Sequence, residues 1–179
     1  MQRKLFSLYL VALGSTLLTA WLCLAAPLLP KAPTLPNEVQ TLAGLTNFQI
    51  EIETLEQEGD PLNLPIAALK EEIEQSLVER TFRVVPKDGD ALIRIAIIST
   101  SNPDHPDIIG FTIHLAVEQP VYIERFDATI RTPTYAAVQV GFAANEDLRN
   151  EIDRKLAKLV RFFLNQAGAA NRANKRTPQ

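Results

Sequence analysis

Apolar and polar residues alternate strictly in the segment that opens the folded part of the chain. Phe48, Ile50 and Ile52 are apolar, and the residues between them are polar. Because successive side chains of a strand point to opposite faces, this pattern predicts a strand with one face on a core and the other in water. A loop follows, with Gly59-Asp60-Pro61 as its turn residues.

Two further segments carry apolar residues at helical spacing. The first opens near Asn63 and ends around Arg80 to Phe82, and the second begins with Asn145 as its N-cap and ends at Gly168. Both patterns predict amphipathic helices that cover a sheet. Their apolar stripes are Ile66, Leu69, Ile73 and Leu77 in the first helix, and Leu148, Ile152, Leu156, Leu159 and Phe163 in the second.

The segments between the two helices read as strands. Phe82 to Val85 is a short candidate, whereas Ala91 to Ser99 is apolar on both faces, which is typical of a strand in the middle of a sheet. The remaining strands are predicted at Ile109 to Val117, at Val121 to Ile130 after a tight turn at Gln119-Pro120, and after Thr132-Pro133-Thr134, where Ala136, Val138 and Val140 alternate with other residues.

These elements define an α+β fold with the order β-α-β-β-β-β-α. The later strands join through short turns and predict an antiparallel sheet of four to five strands. Two amphipathic helices on one face of that sheet complete a two-layer sandwich. The folded domain is predicted at 46–168, followed by a polar tail at 169–179.

The N-terminus has a different character. Arg3 and Lys4 precede an uncharged run from Leu5 to Leu29, roughly 25 residues, which is long enough to span a bilayer as a helix. The positive-inside rule places the two cations in the cytoplasm and the domain on the periplasmic or extracytoplasmic side. Residues 30–45 follow as a linker rich in proline, which favours an extended chain.

Three fates of residues 1–29 remain open. The length of the apolar run favours a retained signal anchor in the inner membrane, because a cleaved signal peptide has a shorter one. Cleavage after Ala25 is the second option, with Cys23 and Ala25 as the small side chains of the site, and would release the domain. Lipid modification of Cys23 is the third, although Leu22 is large for the position before a lipidated cysteine.

Composition excludes some classes of function. The net charge of −3 does not predict a nucleic-acid partner, which calls for a concentrated basic face. Cys23 is the single cysteine and lies inside the apolar run, so the domain has no disulfide, thiol nucleophile or cysteine metal ligand.

No set of residues predicts catalysis or a cofactor. His105 lies in a loop with Asp104 and Asp107, at a spacing that does not suit zinc, and His114 is predicted on a strand face opposite Phe111. We therefore interpret His105 as part of a solvated turn and His114 as half-exposed. No catalytic, cofactor-binding or metal-binding residue is predicted.

Carboxylate pairs, aromatic residues and C-terminal cations can each be explained without a functional site. Two carboxylate pairs invite an acid-base role, but solvated strand faces explain them better; they are Glu51 with Glu53 and Glu118 with Glu124. Four aromatic residues would suffice for an apolar groove, although core packing is the favoured interpretation; they are Tyr122, Phe126, Tyr135 and Phe142. The cations of the C-terminus are interpreted as a solvated helix end, with anionic lipid as the alternative; they are Arg172, Lys175 and Arg176.

The C-terminal half resembles a group of uncharacterised exported bacterial envelope proteins. The resemblance runs from Thr112-Ile113-His114-Leu115 through Tyr135 and Gly141 to Leu159-Val160-Arg161-Phe162-Phe163-Leu164-Asn165 and Ala170-Asn171. Tyr135 stands where the group suggests tryptophan, and Arg161 where it suggests an acid. The element order is also loosely similar to that of lipopolysaccharide-transport lipoproteins. The resemblance implies an envelope location and no activity.

The sequence thus predicts a non-catalytic binding or assembly module of the bacterial cell envelope. Residues 5–29 tether it to the membrane, and a sheet edge or helix face engages a protein partner. The alternative is a carrier that holds an apolar ligand, a lipid or glycolipid, between sheet and helices.

Overall fold

A computed structural model describes residues 35–56, 64–102 and 104–175. These belong to one compact unit, Leu35–Gln179. The predicted tether at residues 5–29 and the first part of the linker lie outside the described residues. No helix within the described part of the chain is long and apolar enough to cross a membrane.

The described elements follow the predicted α+β order once a short first helix is added. The two layers are a five-stranded sheet and two long helices. The helices are α1 (Asn37–Gln40), α2 (Ile66–Glu79) and α3 (Leu148–Asn174). The strands are β1 (Asn47–Glu56), β2 (Arg83–Val84), β3 (Ala91–Asn102), β4 (His105–Ile123) and β5 (Ala128–Ala144).

The sheet is mixed, so the prediction of an antiparallel sheet is wrong for one half of it. The strand order is β2-β1-β3-β4-β5, and β1 runs parallel to both of its neighbours. The β3-β4 and β4-β5 pairs are antiparallel, as predicted. Helix α2 carries the chain from the end of β1 back to the start of β2, and such a crossover is the connection that parallel strands require. The prediction of β3 as the central strand is confirmed.

The predicted turn at Gln119-Pro120 does not exist. β4 continues through it to Ile123, and the chain turns at Glu124–Phe126 with Asp127 in the left-handed region at φ 47°. The last residue of β4 that pairs with β3 is Glu118, so Pro120 lies where no third strand needs its missing amide proton. The predicted separate strand at 121–130 is therefore wrong: residues 121–123 end β4, residues 124–127 form the turn, and residues 128–130 begin β5.

One hydrophobic core joins the sheet to α2 and α3. Each inward-facing strand residue predicted at the start of the domain is covered, with Phe48 fully buried and Ile50 nearly so. The Phe48 ring meets Phe82 edge-on at 5.4 Å and Phe163 at 5.9 Å between ring centroids. The contact with Phe163 fastens α3 to β1, as the predicted apolar stripe of that helix requires.

The domain extends further at both ends than the predicted range 46–168. Residues 35–45, assigned to the linker, form α1 and a turn that buries Leu42 in the core. At the other end, α3 passes Gly168 without stopping and buries Ala170. The Asn171 side chain accepts a hydrogen bond from the Gly44 amide at 2.7 Å. The turn after α1 and the C-terminal part of α3 are therefore in direct contact. No local sequence pattern predicts a contact between residues so far apart in the chain.

Asp90 connects the start of β1 to the start of β3. Its Oδ2 accepts hydrogen bonds from the backbone amides of Thr46 and Asn47, each at 2.9 Å, and from the Thr46 hydroxyl at 3.1 Å. These bonds favour the ionised carboxylate, with the Thr46 amide contributing most, and they lower the pKa of Asp90 below its usual value.

Replacing Asp90→Ala is expected to lower the free energy of unfolding at pH 7 by about 1–2 kcal/mol, because the backbone amides and side chains of Thr46 and Asn47 lose a charged acceptor. A depressed pKa in the folded state stabilises the protein above the unfolded-state pKa, and the effect is lost as pH falls through the folded-state value. The difference between wild type and variant should therefore shrink from pH 5 towards pH 3 in urea titrations. Glu72→Ala, which removes an exposed carboxylate of α2, is the control. A difference that does not change with pH would contradict this role of Asp90.

Candidate functional site

The sheet has one covered face and one open face. α2 and α3 cover the face that carries Phe48, Phe111 and Tyr135. Strand partners opposite each other share a face, so the strand pairing defines the open face as rows of residues that cross the sheet. No described helix packs against this open face, and its composition divides it into a charged half and an apolar half.

The exposed side of β5 is apolar over its last nine positions. From Ala136 to Ala144 the strand alternates between exposed and covered residues, and every exposed residue is apolar. Val138 is 49% exposed, Val140 62% and Phe142 77%. We call these three residues the apolar row. A strand with one face in water normally carries polar residues on that face, so the apolar row has no folding role within the described residues.

Neighbouring strands extend the apolar row across the sheet. Leu55 on β1 stands opposite Ile98 on β3, which stands opposite Thr112 on β4, and Thr112 stands opposite Val140. Leu55 and Ile98 are both exposed. A band of methyl groups therefore crosses the open face from the first strand to the last.

β5 is also an edge strand. It pairs with β4 alone, so one side of its main chain faces away from the sheet. Lys155 of α3 donates a hydrogen bond to the Val140 carbonyl at 3.3 Å. A lysine laid over an edge is a common protection against unwanted strand pairing, and it is also a contact that an arriving strand can displace.

The other half of the open face holds a cluster of charges around Arg94. Its guanidinium pairs with Glu53, with Glu118 (Nε to Oε1, 3.0 Å) and with Glu51 (3.4 Å). The hydrogen bonds that Arg94 donates to Glu53 and then to Glu118 raise the pKa of Arg94 above its usual value. Three of the four carboxylates interpreted as solvated are thus partners of one arginine. Glu124 is not among them, because it lies in the turn between β4 and β5.

The two histidines lie at different positions along β4. His114 lies between Ala96 and Val138 on the open face and is half-buried, as predicted. His105 is exposed at the start of β4, close in sequence to the exposed Asp104 and Asp107. The described residues contain no group of three or more histidine, cysteine, aspartate or glutamate side chains that could hold a metal ion.

The favoured interpretation of the aromatic residues as core is wrong for three of the four. Tyr135 is buried against Phe163, with ring centroids 5.8 Å apart, and burial raises the pKa of its hydroxyl. Phe142 belongs to the apolar row, and Tyr122 and Phe126 are exposed where the β4-β5 hairpin extends past β3. We call this part, residues 119–132, the hairpin extension. The sequence pattern does not separate the buried Tyr135 from the three exposed aromatic residues, because it does not show which face of a strand a helix will cover.

The C-terminal end of α3 contributes to a polar groove. Arg172 and Lys175 line it together with Arg80, at the end of α2, and the groove has a volume of about 400 Å³. Thr81 beside them adopts a left-handed backbone with φ 67°, which is unusual for a β-branched residue. Carbonyl groups at the ends of two helices favour cations here, so the interpretation as solvated helix ends accounts for Arg172 and Lys175.

Comparison with known proteins gives only distant likenesses. No family model matches the sequence, and no curated protein matches it. Among solved structures, a minor lipoprotein from Acinetobacter baumannii is 11% identical with a TM-score of 0.40, over 71% of this chain and 93% of its own. A hypothetical protein from Chlamydia trachomatis is 10% identical with a TM-score of 0.42, over 69% of this chain and 99% of its own. At these scores neither structure carries an argument about what this chain does.

Gly141 lies between Val140 and Phe142 and packs against the Phe111 ring, which constrains the backbone of the apolar row. A Cβ atom at this position would lie 2.5 Å from Cζ of the Phe111 ring, which is buried under β5. Gly141→Ala is therefore expected to lower the free energy of unfolding by about 1–3 kcal/mol, because the strand or the ring must move. Thermal or urea denaturation measures the change.

Gly110→Ala is the matched control, because the nearest atom to its Cβ is 3.4 Å away, an ordinary contact. Adding Phe111→Leu to Gly141→Ala should cost less than the sum of the two single changes, since the smaller side chain makes room. Strict additivity would show that the ring does not constrain β5.

Proposed function

We propose that the domain is a membrane-tethered, non-catalytic binding or assembly module of the bacterial cell envelope. In this proposal it binds an extended segment of a protein partner along β5. The observation that carries the proposal is the apolar row on an edge strand, where exposed side chains and outward-facing main chain occur together.

An added strand uses both features at once. Its backbone pairs with the outer side of β5, and its alternate side chains lie beside Val138, Val140 and Phe142. Main-chain pairing supplies affinity, and the apolar row selects a partner with apolar residues at every second position. The partner also covers apolar surface that is otherwise in contact with water, which contributes roughly 25 cal/mol per Å².

The location of the module rests on the sequence of its N-terminus. Arg3 and Lys4 before the apolar run favour export of everything that follows. A retained anchor keeps the domain at the periplasmic or extracytoplasmic side of the inner membrane, and cleavage would release it to the same compartment. Protease added to spheroplasts should digest the domain, and protection until detergent is added would refute this orientation.

The packing of the interlayer space supports the binding module over the lipid carrier. Phe48, Phe82 and Phe163 fill the space between β1 and the helices with edge-on ring contacts. The buried core is continuous from α1 to α3 in the described residues. No observation on the described residues favours a ligand in that space.

A photo-crosslinking amino acid at position 142 tests the partner. Placed at Phe142 in living cells, it should give a defined adduct with one protein, because the side chain lies on the bound edge. The matched control is Phe162, an aromatic residue on α3 that is 52% exposed. The Val140→Glu variant should reduce the adduct about tenfold or more, since a carboxylate in the interface must be desolvated.

Three results would count against the proposal. Adducts with lipid would favour the carrier, and adducts between two copies of the chain would indicate a homodimer. Equal adducts from positions 142 and 162 would mean non-specific contact.

The absence of catalysis is tested by removing the titratable groups that invite an acid-base role. The combined variant His114→Ala, Glu118→Gln and Glu124→Gln should keep the adduct from position 142 and the cellular role of the protein. Circular dichroism checks that the variant is folded, because Glu118 also pairs with Arg94. Loss of the cellular role with the adduct and the fold intact would indicate chemistry that the proposal lacks.

A further inference from the structure

The hairpin extension carries a second set of exposed apolar residues, distant from the apolar row. Tyr122 pairs with Thr129 and Ile130 with Val121, so these two side chains lie on opposite faces of the ribbon. Tyr122 is 57% exposed, Phe126 62% and Ile130 45%. They belong to the part of the hairpin that has left β3, where β4 and β5 pair only with each other. No core lies under a two-stranded ribbon, so folding does not explain the two aromatic rings at its end.

Polar groups surround these rings. The Tyr122 hydroxyl donates a hydrogen bond to Asp127 Oδ1 at 2.6 Å, and the Arg125 guanidinium lies 4.4 Å from the centre of the Phe126 ring. The extension as a whole is neutral, because Glu124 and Asp127 balance Arg125 and Arg131. Rings with an apolar body and a polar end are typical of the boundary between lipid head groups and hydrocarbon.

The hairpin extension leaves the sheet beside the point where the chain enters the domain. At its root, Gln119 donates a hydrogen bond to the Thr41 carbonyl at 3.0 Å, and the Thr41 hydroxyl donates to the Thr134 carbonyl at 3.2 Å. Thr41 directly follows α1, and the Gln40 side chain donates to the Leu35 carbonyl at 2.6 Å. Leu35, the first described residue, is therefore close to this root.

Two lengths agree. The strands of the extension run from Gln119 to Ile123 past the last pairing with β3, which is about 17 Å at roughly 3.3 Å per residue. The chain between Leu29, the end of the apolar run, and Leu35 has residues 30–34, which reach at most about 18 Å when extended. Five residues are therefore enough chain to span a distance equal to the length of the hairpin extension.

We infer that the end of the hairpin extension inserts end-on into the head-group region of the membrane that carries the tether, so that Tyr122 on one face of the ribbon, Phe126 in the turn and Ile130 on the other face all enter it. The occupant is a lipid bilayer, because the end of the extension combines interfacial aromatics with a root close to Leu35, from which the chain leads back to the predicted tether. The inference uses the tether of the proposed function but not its protein partner. Because the extension is neutral, it should insert into zwitterionic lipid as well as anionic lipid.

Fluorescence quenching in vesicles tests this insertion with the full chain. In a Cys23→Ser background, an environment-sensitive dye is attached to Thr129→Cys, an exposed position opposite Tyr122. The protein is reconstituted into phosphatidylcholine vesicles, with or without phosphatidylglycerol, that contain spin-labelled lipid. A dye at Glu146→Cys, at the other end of β5, is the control position.

We expect strong quenching at position 129 in both lipid mixtures and little at position 146. The double variant Tyr122→Ser, Phe126→Ser should shift the balance between inserted and aqueous states by roughly tenfold towards water, since two rings lose their burial. Phe142→Ser, which removes a comparable exposed ring from the apolar row, should change nothing at position 129.

Three outcomes would overturn the inference. These are quenching no stronger at position 129 than at 146, quenching that survives the double variant, and shielding of position 129 that appears only when envelope protein is added. In each case the crosslink from position 142 remains an independent measure of the proposed function, so failure of one is distinguishable from failure of the other.

Discussion

The packing of Phe163 determines how the rest of the domain is arranged. This ring of α3 contacts Phe48 on β1, with centroids 5.9 Å apart, and Tyr135 on β5, at 5.8 Å. One side chain thus connects the helix to strands on both sides of β3 and β4. Because α3 lies across the sheet in this way, the large apolar groups of one face are buried. The opposite face keeps no helical cover in the described residues, and its composition then decides what it can bind.

The open face separates charge from apolar surface. Arg94 gathers three carboxylates near the start of β3, whereas the apolar row lies along the far half of β5. These ion pairs are only partly buried and contribute little to stability, so the main effect of the cluster is to keep this part of the face polar. The proposed apolar partner would therefore bind at the end of the sheet where Val140 and Phe142 lie. Gly141 between them, fitted over Phe111, fixes the backbone at that point.

Local pattern predicted the elements well and their long-range relations poorly. The alternation around Ile50 and the two-sided strand around Ile95 were correct, because both patterns reflect burial directly. Pro120 wrongly suggested a turn, because the effect of a proline in a strand depends on whether a third strand is present to pair with it. Gly168 wrongly suggested the end of a helix, because contacts of the residues beyond it stabilise the helix. The exposure of Phe142 escaped prediction for a similar reason. Strand periodicity separates two faces, but it does not say which one a helix will cover.

The apolar row and the exposed residues of the hairpin extension belong to the same β4-β5 hairpin, but they need not bind the same partner. The apolar row and the hairpin extension lie at opposite ends of β5, and the chain enters the domain near the second. If the extension rests on lipid, β5 rises from the bilayer and presents Phe142 at the end away from it. A protein strand can then approach the edge without competing with the membrane. In the proposed arrangement, the antiparallel β4-β5 hairpin would give a small domain both an orientation on the membrane and a binding edge, which a freely rotating tether alone would not provide.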